Sequence, residues 1–268
     1  RAVRGCDAVI HTAANTQVWP ARSKGVRDVN YTAVVHLAES MREEGIPLLL
    51  HIGTANSFSP GTKEQPGTEK GAFTDHKYGL DYIDSKRMAQ DYLLSLIADE
   101  GFQVKVINPT FMLGPRDTKP GSGRMIISLY RGEIPGYTDG GKNFVHVRDV
   151  AVAALNALTM GRPGECYIAG NENLSYREAF ELMSEVTGEP PPRRRIPPLA
   201  AIIFGALSSG ISILTKKPPV VSLPMARLGN SGCYYDSTKA VRELEMPRTP
   251  IREAIEEAFE WFRAHGYV

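Results

Sequence analysis

The sequence predicts an α/β protein in which a Rossmann-like, doubly wound parallel sheet carries a smaller mixed α/β lobe at its C-terminal side. Short, continuously apolar runs alternate with segments in which apolar residues recur every three or four positions. This alternation is typical of parallel strands covered by helices on both faces. The chain has 268 residues, 42% of them hydrophobic, which suffices for one large core with an attached lobe.

The first part of the chain predicts the sheet. Its strands are expected at Ala8–Ala14, Pro47–Gly53 and Val104–Pro109. One helix that ends near Gly45 separates the first two strands, and a helix from Tyr78 to Ile97 separates the second and third. We therefore expect a partial dinucleotide-binding domain over residues 1–115.

The remainder, residues 116–268, is predicted to form mainly a substrate-binding lobe, with elements near 143–170 that interleave with the sheet domain. Glycines and prolines cluster after Gly114, so loops dominate there. Helices are then expected at Asp149–Thr159, Tyr176–Val186, Leu199–Leu214 and Ile251–Phe262.

Charge and cysteine content narrow the classes of partner. Lysine and arginine (31) nearly balance aspartate and glutamate (30), so no overall field attracts nucleic acid, and no nucleic-acid partner is expected. The three scattered cysteines favour a reducing compartment, which predicts a cytoplasmic location.

The six histidines show no metal-ligand spacing, and we expect no metal site. The chain is also expected to be capable of forming a homodimer.

Tyr82 and Lys86 are the first residues whose positions indicate a catalytic site. They lie one helical turn apart on the stripe of their helix that should be buried, where a lysine is out of place in a plain core. Thr54 directly follows the second predicted strand, and ligands of open parallel sheets bind beyond the carboxyl ends of the strands. These three side chains therefore predict a proton-transfer site.

A tyrosine exchanges protons near neutral pH only if its pKa falls. The drop required is ~2 to 3 units, or about 3 to 4 kcal/mol. An ammonium group ~4 Å away at an effective dielectric of ~20 supplies roughly 4 kcal/mol. We therefore expect Lys86 to lower the pKa of Tyr82. The alternative is that Tyr82 merely packs and Lys86 extends to solvent.

The spacing Tyr-x-x-x-Lys is weak evidence by itself. A second copy occurs at Tyr235 and Lys239, but upstream of it lies the apolar segment around Ser208 and not a strand end. Only the first copy is therefore expected to be functional.

Asn30 is a second anomaly, since it falls on the predicted buried stripe of its helix. A buried amide must find hydrogen-bond partners. The alternative is an amide at a helix start, half in solvent.

Six segments resemble, in order, the motifs of extended short-chain dehydrogenases/reductases. They are HTAA (His11–Ala14), VNYT around Asn30, HIGTANSF around Thr54, YIDSK (Tyr82–Lys86), INPTFMLGPRD (Ile107–Asp117) and NFVHVRDVA (Asn143–Ala151). The resemblance spans nearly the whole chain. It is strongest to the branch that contains dihydroflavonol-4-reductase-like and 3β-hydroxysteroid-dehydrogenase-like enzymes, together with hopanoid-associated sugar epimerase relatives.

This resemblance implies an NAD or NADP cofactor across the mouth of the sheet. Tyr82 and Lys86 would then touch its ribose, and Pro109 and Met112 would flank the nicotinamide. Other residues expected along the cofactor path are His11, Ala13, Ala14, Ile52 and Gly53.

The resemblance also implies roles toward the substrate, a small molecule of low polarity. Thr54 and Tyr82 would hold its carbonyl or hydroxyl oxygen, with Asn30 supporting a relay to Lys86. Further residues expected near the substrate are Asn56, Trp19, Phe111 and Arg116, although aromatic packing explains Trp19 and Phe111 equally well.

The sequence departs from the family pattern before His11. Members begin with a strand, a glycine-rich turn whose N–H groups face the pyrophosphate, and a helix. No Gly-x-x-Gly-x-x-Gly pattern occurs in this sequence. We therefore expect a sheet truncated at its N-terminal half, lacking a first βαβ unit of roughly 30 residues, and weak dinucleotide binding by this polypeptide.

Other departures favour one activity. Sugar epimerases and dehydratases of this superfamily carry Arg-Asp where this chain has Lys142 and Asn143, and lysine lacks the bidentate fork of arginine. Thr54 is followed by Ala55 and Asn56 and not by the Asp-Glu of sugar dehydratases. The sequence thus predicts an NAD(P)-dependent oxidoreductase that interconverts a secondary alcohol and a ketone. The alternatives are a nucleotide-sugar C4 epimerase with bound NAD and a non-catalytic dinucleotide sensor or scaffold.

The segment Pro198–Leu214 is largely apolar. No charged residue lies between Arg195 and Lys216, and both flanks are basic. Two interpretations stay open: a helix that covers the substrate cavity, or peripheral contact with a membrane.

Overall fold

The computed structural model describes residues 3–98 and 101–268. The strands are β1 Ala8–His11, β2 Leu48–Ile52, β3 Gln103–Pro109, β4 Phe111–Leu113, β5 Gly141–His146, β6 Cys166–Ala169, β7 Glu172–Ser175 and β8 Gly232–Cys233. The α-helices are α1 Lys24–Arg27, α2 Ala33–Glu43, α3 Asp81–Ser95, α4 Arg124–Tyr130, α5 Val147–Asn156, α6 Tyr176–Thr187, α7 Pro198–Thr215, α8 Leu223–Gly229, α9 Thr238–Leu244 and α10 Ile251–Ala264. A π-helical segment, Asp28–Thr32, joins α1 to α2.

The first sheet has the order β1-β2-β3-β6, and its strands are all parallel. Successive side chains of a strand point to opposite faces. In β2, Leu49 accordingly packs with residues of α2 and α3, whereas Leu50 packs with residues of α5 and α9. Helices therefore cover both faces, and the predicted doubly wound α/β fold is confirmed.

The two edges of this sheet differ. At one edge, the side chains of β1 are mostly half-exposed, and Ile10 is exposed. At the other edge, the backbone N–H of Ile168 in β6 donates to the Glu69 carboxylate at 2.8 Å. A side chain thus covers part of the β6 edge.

The second sheet forms the mixed lobe. Strand β5 pairs in parallel with β4 and β8 and antiparallel with β7. Its core includes Phe144 of β5 and residues of α4, α6 and α10. The buried face of α10 consists of Ile251, Ala254, Ile255, Ala258, Phe259 and Phe262, the stripe that periodicity indicates.

Element boundaries differ from the sequence prediction where turn geometry intervenes. The strand expected over Ala8–Ala14 ends at His11. The helix expected from Tyr78 to Ile97 begins only at Asp81, because Gly79 adopts a left-handed conformation (φ 62°) and Leu80 is extended. The three- and four-residue spacing of the apolar positions continues through the adjacent 3-10 turns, so periodicity alone merges them with the helix.

A buried amide fixes the end of β2. Asn108 in β3 donates from Nδ2 to the Thr54 carbonyl at 3.0 Å and to Gln90 Oε1 of α3 at 2.8 Å. Gly53 makes room for this amide, because a Cβ at Gly53 would lie 2.5 Å from Asn108 Nδ2. The backbone position of Thr54 therefore depends on a glycine before it.

We predict that Gly53→Ala destabilises the protein. Overpacking a core typically costs ~1–3 kcal/mol, and urea unfolding would measure this loss. Gly210→Ala is the matched control, since a Cβ at this position on α7 meets nothing within 4 Å. The control should be neutral or more stable by up to about 1 kcal/mol. An unchanged stability of Gly53→Ala would contradict the prediction.

Candidate active site

The carboxyl ends of three parallel strands meet at one edge of the first sheet. β1 ends at His11, β2 at Ile52 and β3 at Pro109. Thr54 follows β2 and is 6% exposed. Helix α3 lies against this edge through the Gln90 and Asn108 contact. The carboxyl ends of the three strands thus meet at the position that the sequence predicts for the site.

The start of α3 is tied to the loop after β1. The buried carboxylate of Asp81 accepts hydrogen bonds from Arg22 Nη1 at 2.8 Å and from the backbone N–H of Ser23 at 2.6 Å. The backbone N–H of Asp81 in turn donates to the Ala21 carbonyl at 2.8 Å. Since Tyr82 is the next residue, these bonds fix where its side chain starts.

Thr54 and Tyr82 meet through their side chains. Burial raises the pKa of Tyr82, and a hydrogen bond with the Thr54 side chain opposes this rise. Thr54 Oγ1 also accepts from the Asn56 backbone N–H at 3.3 Å, which begins a short 3-10 turn. One acceptor site of the threonine is therefore used by the backbone, and its hydroxyl proton is available to Tyr82 or to a substrate oxygen.

Lys86 is 2% exposed, and its ammonium group donates to the Ile52 carbonyl at 2.7 Å. Burial lowers the pKa of Lys86 to about 8. The alternative in which Lys86 extends to solvent is therefore wrong. Lys86 and Tyr82 both reach the Ile52–Thr54 segment.

The expected effect of Lys86 on Tyr82 is not what the structure shows. From the sequence we expect a lowered pKa for Tyr82, whereas burial of the phenol raises it. The reason is that desolvation disfavours the phenolate, while the lysine ammonium is held on the Ile52 carbonyl.

A histidine pair lies beside Lys86. The rings of His11 and His51 stack with centroids 5.3 Å apart, and their Nδ1 atoms are 3.2 Å apart. Burial and the charge of Lys86 hold the pKa of His51 well below its usual value, and they also lower the pKa of His11. Both rings are thus neutral at pH 7, and one donates to the other. Sequence reasoning missed His51, although a polar residue inside the apolar run PLLLHIG was a signal.

Asn30 is fully buried in the π-helical segment. Its Oδ1 accepts from the Asn15 backbone N–H at 2.7 Å, and its Nδ2 donates to the Asn15 carbonyl at 2.9 Å. The alternative of an amide half in solvent is therefore wrong. In this structure Asn30 fixes the chain just beyond Ala13 and Ala14, which are exposed. Its relay to Lys86 stays a prediction.

A cavity opens beside Thr54 on the lobe side. It is lined by Thr54, Ala55, Asn56, Pro109, Thr110, Phe111, Lys142, Asn143, Cys233 and Tyr235. Asn56 and Phe111, both predicted near the substrate, and Pro109, predicted near the cofactor, are thus brought together with Thr54. Phe111 also packs edge-on against Phe144, with ring centroids 5.3 Å apart, so it serves both cavity and core.

Three predicted residues lie elsewhere. Trp19 and Arg116 are not among the residues that line this cavity, and neither is Met112. Arg116 is exposed in the loop after β4, with φ 70°. Met112 instead packs against the core on the α5 face of the first sheet. For Met112 and Arg116, the motif alone does not indicate which way the chain turns after Pro109.

Lys142 and Cys233 form a contact that the sequence did not predict. Lys142 Nζ lies 3.6 Å from Cys233 Sγ. Burial alone would lower the pKa of Lys142, but Tyr176 and Cys233 together with Asp75 raise it. The lysine therefore keeps its charge at the cavity wall. No local pattern could reveal this contact, because it depends on the pairing of β5 with β8, 91 residues apart.

The second Tyr-x-x-x-Lys copy does not form one site. Tyr235 donates its hydroxyl to the Phe58 carbonyl at 3.3 Å. Lys239 Nζ binds Glu165 at 2.6 Å and the Cys166 carbonyl at 2.7 Å. The two side chains have separate partners, although the Tyr235 ring lines the cavity.

The donors at the strand ends fit the nicotinamide and ribose part of a dinucleotide. An ammonium group has three N–H donors, and the hydrogen bond from Lys86 to Ile52 uses one of them. Ribose hydroxyls are suitable acceptors for the others. The small, exposed side chains of Ala13 and Ala14 leave the strand end open to a flat ligand. In the part of the chain that the structure describes, no group of three His, Cys, Asp or Glu side chains could hold a metal ion.

A doubly wound parallel sheet with threonine, tyrosine and lysine at its carboxyl edge defines the extended short-chain dehydrogenase/reductase class. The profile of the NAD dependent epimerase/dehydratase family matches residues 1–170, and the chain belongs to this family. The predicted family resemblance is thereby confirmed, and the expected cofactor class, NAD or NADP, agrees with it.

Several relatives are similar over nearly the whole chain. A putative dihydroflavonol 4-reductase of Synechocystis sp. is 28% identical, over 99% of this chain and 79% of its own length. Sterol demethylase protein B of Methylococcus capsulatus is 29% identical, over 100% of this chain and 82% of its own length. The crystal structure of gox2253 superimposes with a TM-score of 0.84 at 27% identity, covering 100% of this chain and 81% of that one. The predicted likeness to dihydroflavonol reductases agrees with the first relative.

We predict that the buried charge of Lys86 makes stability depend on pH. Burial lowers the pKa of Lys86 to about 8 in the folded state, below the ordinary lysine pKa of 10.5. The folding penalty is therefore full below pH 8 and is relieved as pH rises toward 10.5. Between pH 7 and pH 10, the wild type should gain roughly 2 to 3 kcal/mol in unfolding free energy relative to Lys86→Met. Urea unfolding of both proteins at the two pH values measures this, and a constant difference would disprove the buried charge.

Proposed function

We propose that the protein is an NAD(P)-dependent oxidoreductase that interconverts a secondary alcohol and a ketone. The observation that carries the proposal is the hydrogen-bonded Thr54 and Tyr82 pair at the sheet edge, with the Lys86 ammonium on the Ile52 carbonyl. A site that only binds a dinucleotide does not require a charged lysine buried beside a phenol, since that charge lowers stability.

The chain's own residues handle the proton of this reaction. A nicotinamide cofactor, held in this proposal by Tyr82 and Lys86, would supply the hydride exchanged with the substrate carbon. In the direction of reduction, Tyr82 donates its phenolic proton to the carbonyl oxygen as that oxygen becomes an alcohol. Thr54 donates a hydrogen bond to the same oxygen and stabilises its developing negative charge.

The raised pKa of Tyr82 bears on the direction of the reaction. Because burial favours the neutral phenol, Tyr82 carries its proton at neutral pH and is ready to act as an acid. In this proposal the Lys86 ammonium, held on the Ile52 carbonyl in the structure, binds the ribose of the cofactor. A protonated phenol at this position is the form of Tyr82 that ketone reduction requires at the start of the reaction.

The cavity supports a substrate of low polarity near the reacting carbon. Ala55, Pro109, Phe111 and Tyr235 contribute apolar surface to its wall. The side chain of Asn143 is already engaged, since it accepts from Thr110 Oγ1 at 2.8 Å and donates to Asn173 Oδ1 at 2.8 Å. Thr54, Asn56 and Lys142 remain as polar groups for the substrate. A single ammonium group offers no bidentate grip on a diphosphate.

We predict that Tyr82→Phe loses turnover by ~10²–10⁴-fold, the usual contribution of a general acid. The assay follows oxidation of reduced cofactor by full-length protein with a panel of ketones. Binding of the cofactor, measured by fluorescence titration, should be retained because the ring remains. Tyr92→Phe is the control, since it removes a phenol from the same helix α3 without touching the strand ends.

The same experiment separates the rival functions. Isomerisation of a nucleotide sugar without net cofactor oxidation would favour a C4 epimerase, which the family description includes. Cofactor binding without turnover of any substrate would favour a sensor. Undiminished ketone reduction by Tyr82→Phe would refute the role of Tyr82.

A further inference from the structure

Helix α7 (Pro198–Thr215) carries its apolar side chains on the outside. In a soluble protein, a surface helix normally turns its apolar stripe inward and its charged residues outward. Here the exposed large apolar residues are Leu199, Ile203, Phe204, Leu207, Ile211, Ile213 and Leu214. The helix carries no charge, and by length and composition alone it could cross a membrane.

The inner side of α7 is small and polar. Gly205 and Ser212 are its buried residues. A Cβ at Gly205 would lie 2.7 Å from the Ala226 Cβ of α8, so the two helices approach closely there. Ser209 Oγ accepts from the backbone N–H of Leu223 at 2.9 Å. Small residues toward a neighbouring helix and large apolar residues outward are the arrangement of helices that face lipid.

A role of α7 as a cover for the substrate cavity does not explain its exposed apolar face. Among the residues that the structure describes, none from α7 lines the cavity beside Thr54. In this structure α7 therefore forms no wall of that cavity. The outward face continues instead into Val220, which is 85% exposed and lines a groove with Phe204, Leu207 and Ile211.

The start of α7 and the end of α8 are held on the same lobe. Before the helix, Tyr137 N–H donates to the Arg194 carbonyl at 2.9 Å, and Ile196 N–H donates to the Tyr137 carbonyl at 2.8 Å. Asn230, just beyond α8, donates from Nδ2 to the Pro198 carbonyl at 3.0 Å. Because the start of α7 and the helix that follows it are fixed on one side, this arrangement favours a helix that lies along a surface over one that spans a bilayer.

The charges that flank α7 indicate what covers it. Arg193 and Arg194 precede the helix, Lys216 and Lys217 follow it, and all four are exposed. Two copies of the chain that met through this face would place basic ends against basic ends in either orientation. Anionic lipid headgroups complement such a pattern, because cations beside an apolar face are attracted to them.

We propose that α7 and its flanking cations are a docking surface for an anionic lipid bilayer, in which the outward apolar side chains enter the boundary between headgroups and acyl chains. The proposal is independent of the oxidoreductase activity. It requires only that the lobe rest on the membrane, with the helix parallel to the surface.

Flotation of full-length protein with vesicles tests this surface. The wild type should float with vesicles of phosphatidylcholine and phosphatidylglycerol. Leu207→Asp/Ile211→Asp should reduce the bound fraction about tenfold or more. Leu155→Asp on α5 is the matched control, since Leu155 is 60% exposed and Leu207 is 62% exposed. This control should float like the wild type.

Charge and folding are tested with further measurements. Arg193→Glu/Lys217→Glu should weaken binding to the anionic vesicles, and the wild type should bind vesicles of phosphatidylcholine alone less well. Thermal unfolding should be unchanged in the Leu207→Asp/Ile211→Asp variant, because both side chains are exposed.

Three results would overturn the proposal: no flotation of the wild type, equal losses in the Leu155→Asp control, or equal binding to both kinds of vesicle. A fourth is a lipid-free dimer of the wild type that becomes a monomer in Leu207→Asp/Ile211→Asp, since a second copy would then cover α7.

Discussion

The buried amide of Asn108 is the interaction on which the site depends. It joins strand β3, the turn after β2 and helix α3 by two hydrogen bonds from one nitrogen atom. Thr54 belongs to the turn and Tyr82 to the helix, so the relative position of hydroxyl and phenol follows from this joint. Among the described residues Asn108 Oδ1 is buried without a partner, so the two bonds from Nδ2 are those that hold the amide. Because loss of either bond would leave a buried donor unpaired at a cost in stability, the three elements form a single arrangement and not three independent ones.

Burial shifts the pKa values of Lys86 and Tyr82, the two ionisable groups of the site, in opposite directions. It lowers the pKa of Lys86 to about 8 and raises the pKa of Tyr82, because in each case it disfavours the charged form. The lysine cation and the tyrosine anion are therefore each disfavoured by the same desolvation. The charged form of buried Lys86 thus lowers the stability of the protein, and the rest of the core must offset this cost.

Local patterns were sufficient to predict much of this protein. Helical spacing indicated that Lys86 is buried, and the strand-end rule placed Thr54 beside Tyr82. Long-range contacts were not predictable in this way: the Lys142 and Cys233 contact requires a parallel pairing between distant segments. The pKa of Tyr82 was predicted in the wrong direction, because a charge at an assumed distance was considered and the desolvation of the phenol was not.

The two edges of the first sheet differ in whether they can accept a further strand. At β6, the Glu69 carboxylate occupies a backbone donor that an added strand would need. At β1, the half-exposed strand offers its outer N–H and C=O groups as a template. A parallel strand that joined there would lengthen the row of strand ends beside His11 while leaving Thr54, Tyr82 and Lys86 undisturbed. The sheet is therefore extensible at its β1 edge.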